Sequence, residues 1–70
     1  MKNTKEITKF KKGDYFRWDT GTFIVDYIDQ NRQAYIAKDI SDLKSIWTFF
    51  KWDEDTMTYI SKEQNPEYYL

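Results

Sequence analysis

The sequence contains no cysteine and no histidine among its 70 residues. Without cysteine no disulfide can form, and without both residue types the usual ligands of a structural zinc are missing. The same absences remove the common nucleophile–base pairs and the commonest general acid–base side chain. No glycine-rich phosphate loop precedes a helix. The sequence therefore predicts a protein that is not an enzyme and has no metal or cofactor.

Glycine and proline are scarce, with two residues and one residue respectively, which argues against a disordered or linker-like chain. No apolar run approaches the roughly 18 residues of a membrane span, and no signal-peptide pattern is present. We therefore expect a cytoplasmic protein with no membrane partner. It should be a single domain over residues 1–70, with its core at about 10–63. Residues 1–9 and 64–70 should be flexible or docked termini.

Aromatic residues, in contrast, are abundant: three Trp, six Tyr and five Phe make up 20% of the chain. Each buries about 150–250 Å² when enclosed, so these residues supply most of the apolar area that a small domain needs. A core of this size cannot enclose all of them. We expect some Tyr and at least one Trp to remain partly exposed.

Alternating apolar and polar residues predict five short strands joined by polar turns. The first begins after Gly13-Asp14, and the turn Asp19-Thr20-Gly21 should place Gly21 at a positive φ. Ser41 should start one short helical turn near residues 41–45. The remaining predicted strands cover residues 22–29, 33–40, 45–53 and 57–63.

Five consecutive strands with short connections predict an all-β fold, an antiparallel meander curled into a small barrel or a strongly bent sheet. In the second strand, alternation places Phe23, Val25 and Tyr27 on one face and Ile24 and Ile28 on the other. The segment KKGDYFRWDTGTFIVDYIDQNRQAYI, residues 11–36, resembles the opening of SH3-like barrels. There a Gly-Asp pair leads into a strand and a glycine turn precedes an apolar strand. This resemblance implies a fold type only.

An aromatic–cation–Trp–Asp motif occurs twice, as FRWD at residues 16–19 and FKWD at residues 50–53. Each copy is followed by a polar turn and a Thr-containing segment, which predicts two hairpins. We favour convergence over duplication because the loops differ in length. In both copies the first aromatic residue and the Trp share a face, so both pairs should meet in one core.

Charge is distributed unevenly although the net charge is only −1. Residues 1–17 carry six cations and two carboxylates, whereas residues 53–70 carry five carboxylates and one cation. The two ends should neutralise each other within the fold. Pairing of these ends between two copies, aided by edge strands, would instead give a homodimer.

The first functional hypothesis is a small protein-binding module. Its size and composition suggest an accessory protein of the phage or mobile-element type that binds, and inhibits, a host protein. Tyr, Trp and Arg commonly anchor protein interfaces. The predicted contact residues, chosen for lying opposite the predicted core, are Tyr15, Arg17, Trp47, Lys51 and Tyr59.

The alternative is a small β-barrel that binds nucleic acid through the basic N-terminal third. Cations would contact phosphates and an aromatic ring would stack on a base. The pI near 5.3 weighs against this reading. The predicted residues are Lys9, Lys11, Lys12, Arg17 and Trp18.

Overall fold

A computed structural model of the protein describes residues 6–69 of the chain. One antiparallel sheet is accompanied by two short 3-10 helices, and no helix in these residues could cross a membrane. The first 3-10 helix is Lys51–Thr56 and the second is Pro66–Tyr69. The strands are β1 (Tyr15–Trp18), β2 (Gly21–Asp29), β3 (Ala34–Asp39), β4 (Asp42–Phe50) and β5 (Thr58–Ile60).

The strands β1 to β4 form successive hairpins, so each pairs with its neighbour in sequence. Strand β5 then returns to the far side of the sheet and pairs with β1, which gives the order β4-β3-β2-β1-β5. The predicted all-β fold of five antiparallel strands is confirmed, but the meander order holds only for β1 to β4, because β5 pairs with β1 and not with β4. Over residues 6–69 the sheet is open, because no pairing joins β4 to β5.

The helical turn predicted near residues 41–45 is wrong, because these residues enter β4. Asp39 organises a tight turn before them. Its Oδ1 accepts hydrogen bonds from the backbone N–H and the hydroxyl of Ser41, at 2.9 and 2.7 Å. Ser41 therefore closes a β-turn with its side chain instead of starting a helix.

The second copy of the repeated motif forms the first 3-10 helix and not a hairpin. Asp53 starts this helix by accepting the backbone N–H of Phe50 at 2.8 Å, and its carbonyl accepts the Thr56 hydroxyl at 2.8 Å. Because the strand ends at Phe50, Trp52 is 76% exposed and stacks on the Phe50 ring outside the core. The predicted burial of this pair is wrong, and Phe49 is the core residue.

An irregularity in β2 changes which of its residues face the core. The register of β2 against β3 shifts between Val25 and Tyr27, with Asp26 as the extra residue. Such a bulge reverses the alternation of the residues that follow it. Tyr27 is consequently 50% exposed, while Ile28 packs against the core. The predicted faces of these two residues are wrong for this reason.

The core lies on one side of the sheet, which we call the core face; the opposite side is the outer face. The Phe16 ring contacts those of Phe23 and Phe49, with centroids 5.5 and 5.1 Å apart. Aromatic side chains form most of the buried volume, as the composition predicts. The buried cluster consists of Ile7, Phe10, Phe16, Phe23, Val25, Tyr35, Ala37, Phe49 and Met57.

The segment before β1 docks on the core face. Ile7 and Phe10 are 2% and 0% exposed. The side-chain amide of Gln30 accepts the backbone N–H of Ile7 at 2.9 Å and donates to its carbonyl at 3.0 Å. From Ile7 onward this segment therefore lies against the core face.

Tyr35 joins this docked segment to the first 3-10 helix. Its hydroxyl donates to Glu54 Oε2 at 2.5 Å and accepts the backbone N–H of Phe10 at 3.4 Å. The residue is fully buried. Burial, together with the hydrogen bond to Glu54, raises the pKa of Tyr35 from 10.0 to about 12.

The C-terminal segment folds back onto Tyr15. The rings of Tyr68 and Tyr69 lie 5.4 and 4.9 Å from the Tyr15 ring. The Tyr69 hydroxyl accepts the Tyr15 backbone N–H at 3.1 Å and donates to the Ile60 carbonyl at 2.6 Å. These contacts dock the tail beside β1 and β5. The expectations for residues 1–5 and 70 lie outside the described residues.

We predict that the stability of the protein falls between pH 10.0 and about 12 because of Tyr35. In this range the unfolded state loses the Tyr35 proton while the folded state keeps it. The free energy of unfolding should therefore drop by up to about 3 kcal/mol. Urea unfolding of Tyr35→Phe should show a smaller decrease, because only the raised pKa of Tyr69 remains, whereas Tyr27→Phe, at a half-exposed site, should retain the full decrease. Identical pH profiles for the two variants would contradict the assignment.

Candidate binding site

A cleft opens at the end of the sheet where β1 turns into β2; we call it the aromatic cleft. Its volume is about 120 Å³. Ligand pockets for drug-sized molecules are about 300–1,000 Å³, so this cleft is suited to a single small group. It is lined by Trp18, Asp19, Thr20, Gly21, Phe23, Asp39 and Trp47.

The ring of Trp47 on β4 lies next to that of Trp18 on β1, although two strands lie between them in the sheet. The two indole centroids are 6.0 Å apart and their planes are inclined at 51°. Trp47 is paired with Ala37, a small buried residue that leaves room for an indole over the sheet. The indole also meets the ring of Phe23 at 5.6 Å. The edge strand thereby contributes to a site built mainly from the β1–β2 turn.

The turn itself differs from its prediction. Asp19, not Gly21, has the positive φ, at 55°. Asp tolerates this conformation better than most residues. Gly21 is needed for another reason, because a Cβ at this position would lie 3.0 Å from the Phe23 ring. The glycine lets that ring lie against the backbone at the base of the cleft.

Both indole N–H groups in the cleft are already used within the chain. Trp18 Nε1 donates to Thr56 Oγ1 at 3.2 Å, and Trp47 Nε1 donates to Ser45 Oγ at 2.9 Å. These bonds fix the orientation of the two rings. What the rings offer a ligand is therefore their faces, and aromatic faces attract cations.

The cleft is negatively charged at its rim. Asp19 and Asp39 are its two ionisable lining residues, and it has no Lys or Arg in its lining. Hydrogen bonds from Ser41 lower the pKa of Asp39, so this carboxyl stays ionised at neutral pH. The ion pairs among residues 6–69 join Arg32 to Asp29 and Lys38 to Asp26, and neither uses a carboxylate of the cleft.

A second concavity, the basic groove, lies beside β5. Its volume is about 380 Å³, and three lysines and one carboxylate surround an aromatic ring that is 47% exposed. Lys9 is held in place because its Nζ donates to the Glu54 carbonyl at 3.2 Å. The lining residues are Lys9, Lys11, Asp14, Tyr59 and Lys62.

A third concavity, the outer groove, lies on the outer face. Leu43 forms part of its wall and is 61% exposed. Ile46 is equally exposed and pairs with Lys38, which is also in the lining. The groove has a volume of about 300 Å³ and is lined by Lys12, Gly13, Ile24, Val25, Asp26, Lys38 and Leu43.

The residues predicted to contact a protein are distributed over several surfaces. Tyr15 is half-buried under the C-terminal tail, Arg17 is exposed on the outer face, and Lys51 is exposed at the start of the first 3-10 helix. Trp47 and Tyr59 are exposed on the core face, because they pair with Ala37 and Phe16 respectively. Their predicted placement opposite the core is wrong: on β4 the inward residue is Phe49 and not Phe50, and on β5 Tyr59 shares the face of Phe16.

The residues predicted to contact nucleic acid are also distributed over several surfaces. Lys9 and Lys11 line the basic groove, where they meet Tyr59. Lys12 lines the outer groove and Trp18 lines the aromatic cleft. Arg17 lies on the outer face, between Thr22 and Thr58 in the register. Of these five residues, only Lys9 and Lys11 therefore share a surface.

Sequence reasoning missed Asp39 and Phe23 as residues of the aromatic cleft, and Lys62 as a residue of the basic groove. A usable signal existed for Asp39. In an antiparallel meander, alternate turns lie at the same end of the sheet, so the β1–β2 and β3–β4 turns must be close. The backbone hydrogen bond from Ile40 to Thr22, at 3.0 Å, joins these turns.

Comparison with known proteins gives no relative: no protein-family model, curated protein or solved structure matches this chain. Within residues 6–69, no three metal-ligating side chains come together as a metal site.

We predict that Gly21→Ala destabilises the protein by about 1–3 kcal/mol, as overpacking does. An alanine at a relaxed glycine position usually stabilises instead, by about 0.4–1 kcal/mol. Here the Phe23 ring cannot move away, because it is held by Phe16, Trp47 and Phe49. Urea unfolding measures the change, with Thr20→Ala in the exposed turn as the control. A stabilising Gly21→Ala would show that the ring is free to shift.

Proposed function

We propose that this protein is a non-enzymatic binding module that engages another protein through exposed aromatic and basic side chains. The observation that supports it most strongly is the edge of β4, which no other strand of residues 6–69 covers. This strand is nine residues long and lies at one edge of the sheet. Its Leu43, Ile46 and Trp47 are 61%, 61% and 41% exposed.

A long edge strand with exposed apolar side chains is a ready template for another strand. An added strand would bond to the free backbone groups of β4, and pockets on either side would select its side chains. Strand β4 has a concavity on each side. Trp47 lines the aromatic cleft on the core face, and Leu43 lines the outer groove on the outer face.

The other predicted contact residues lie outside β4: Tyr15 and Arg17 belong to β1, Tyr59 to β5 and Lys51 to the first 3-10 helix. Arg17 and Lys51 are exposed and have no ion-pair partner within residues 6–69. Such cations at an interface rim increase association rate and selectivity more than affinity. Tyr15 would act indirectly, by holding the C-terminal tail.

The biological setting is part of the same proposal. We propose a cytoplasmic accessory protein of the phage or mobile-element type, which binds and inhibits a host protein. Its support is compositional: one small domain, no catalytic motif, and many exposed aromatic residues. We also propose an SH3-like arrangement, which the return of β5 to β1 supports. Closure into a barrel would require the β4 and β5 edges to meet.

We predict that Ile46→Lys and Trp47→Ala abolish partner capture while the protein stays folded. A lysine at an exposed position of an edge strand opposes strand addition. A tagged wild-type copy should capture one protein from the native host. Each of the two variants should bind this protein, once purified, at least about tenfold more weakly than the wild type does. Trp52→Ala is the matched control, because this residue is more exposed and lines neither groove nor cleft.

Two results would contradict this proposal. One is capture of the same protein by all three variants. The other is a wild-type protein that sediments as a stable dimer and captures nothing. The latter would assign the β4 edge to self-association.

Nucleic-acid binding is the second candidate, and the basic groove is the observation that favours it. Lys9, Lys11 and Lys62 surround the exposed ring of Tyr59, a combination that suits phosphates and one stacked base. Asp14 in the same groove and the low pI oppose it.

For this candidate we predict weak binding of single-stranded oligonucleotides that falls with salt. Three phosphate contacts give a slope of about −2 in a plot of log affinity against log salt. Lys11→Glu should abolish binding, and Lys44→Glu on β4, outside the groove, should not. Absence of binding at about 50 mM salt would remove nucleic acid from consideration.

A further inference from the structure

We infer that the aromatic cleft receives the guanidinium group of an arginine side chain from the bound protein. This inference rests on the proposed function, because it identifies what a partner strand on β4 places beside Trp47. It requires the cleft to match a planar cation in size, in ring geometry and in charge.

Size restricts the ligand to one side-chain head group. The cleft volume of about 120 Å³ corresponds to roughly four water molecules at about 30 Å³ each. A nucleotide or a drug-sized molecule needs several times this volume. Because Trp47 belongs to β4, a side chain from a strand added to that edge would reach the cleft directly.

Ring geometry favours a cation. The inclined indoles of Trp18 and Trp47 form two walls, and both N–H groups are bonded to hydroxyls of the chain itself. A neutral polar ligand would therefore find no indole donor, whereas a cation would contact the electron-rich ring faces. Trp gives the strongest such interaction among the aromatic residues.

Charge favours a cation independently of the rings. Asp19 and Asp39 lie at the rim, and no cation lines the cleft. An anion or a carboxylate side chain would be repelled by both groups. A buried apolar side chain would leave both carboxylates without compensation at the interface.

Arginine fits better than lysine. Its guanidinium is planar, stacks on aromatic faces, and bonds carboxylates through two parallel N–H groups. It is also less strongly hydrated than an ammonium group, so entering a small cleft costs less. A cleft lined by two contacting indoles and two carboxylates matches these properties of arginine.

A peptide probe tests the inference without the partner. The probe is acetyl-Gly-Ser-Arg-Ser-Gly-amide, compared with the same peptide carrying citrulline or lysine at its centre. In two-dimensional NMR, the arginine peptide should shift the indole N–H signals of Trp18 and Trp47 but not that of Trp52. We expect a Kd on the order of 1 mM, with citrulline at least about tenfold weaker and lysine about threefold weaker.

Three substitutions connect the signal to the cleft. Asp19→Asn removes a rim charge and keeps the turn, because Asn also tolerates a positive φ. Asp39→Asn removes the other charge, and each change should weaken the arginine peptide about threefold to tenfold. Trp47→Phe should weaken it similarly while retaining an aromatic ring against Phe23. Asp55→Asn, a charge change outside the lining, is the matched control.

Failure of this inference differs from failure of the proposed function. Equal binding of the citrulline or lysine peptide, or no shift with the arginine peptide at about tenfold the expected Kd, overturns the arginine site. So does undiminished partner capture by Asp19→Asn and Asp39→Asn. If the peptide binds as expected but no protein is captured, the proposed function fails and the arginine site stands.

Discussion

Packing of aromatic rings against one face of a small sheet is the interaction on which this structure depends. Phe16, Phe23 and Phe49 contact one another in the core, and Phe23 and Phe49 also contact Trp47. The ring cluster is therefore continuous from the interior to the aromatic cleft. A single set of contacts both stabilises the fold and orients the candidate site, so variants in the cleft require a check of folding.

Small residues determine where the rings can reach the surface. Gly21 lets the Phe23 ring lie on the backbone, and Ala37 leaves space above β3 for Trp47. The surfaces outside the cleft are determined by the two edge strands of the sheet. Strand β5 has three residues and is flanked by the C-terminal tail, whereas β4 has nine residues and a free edge within the described chain. The two edges thus differ in what they offer to a partner.

Much of the fold could be predicted because it depends on local properties. Alternation and turn residues gave five antiparallel strands near their observed positions. The errors arise where one residue breaks a regular period. The extra Asp26 exchanged the faces of Tyr27 and Ile28, and the end of β4 at Phe50 removed Trp52 from the core. Composition does not reveal such positions, because bulges and strand ends depend on contacts with neighbouring strands.

By itself, the sequence determined that five antiparallel strands form. It also determined that some rings must be exposed, because surface and volume limit what a 70-residue core can enclose. Tertiary structure alone decided which rings these are and what lies beside them. Trp18 and Trp47 are 29 positions apart, and Asp19 and Asp39 belong to different turns, yet all four line one cleft. The physical reason is that ring packing on one face of the sheet brings side chains from distant strands into contact.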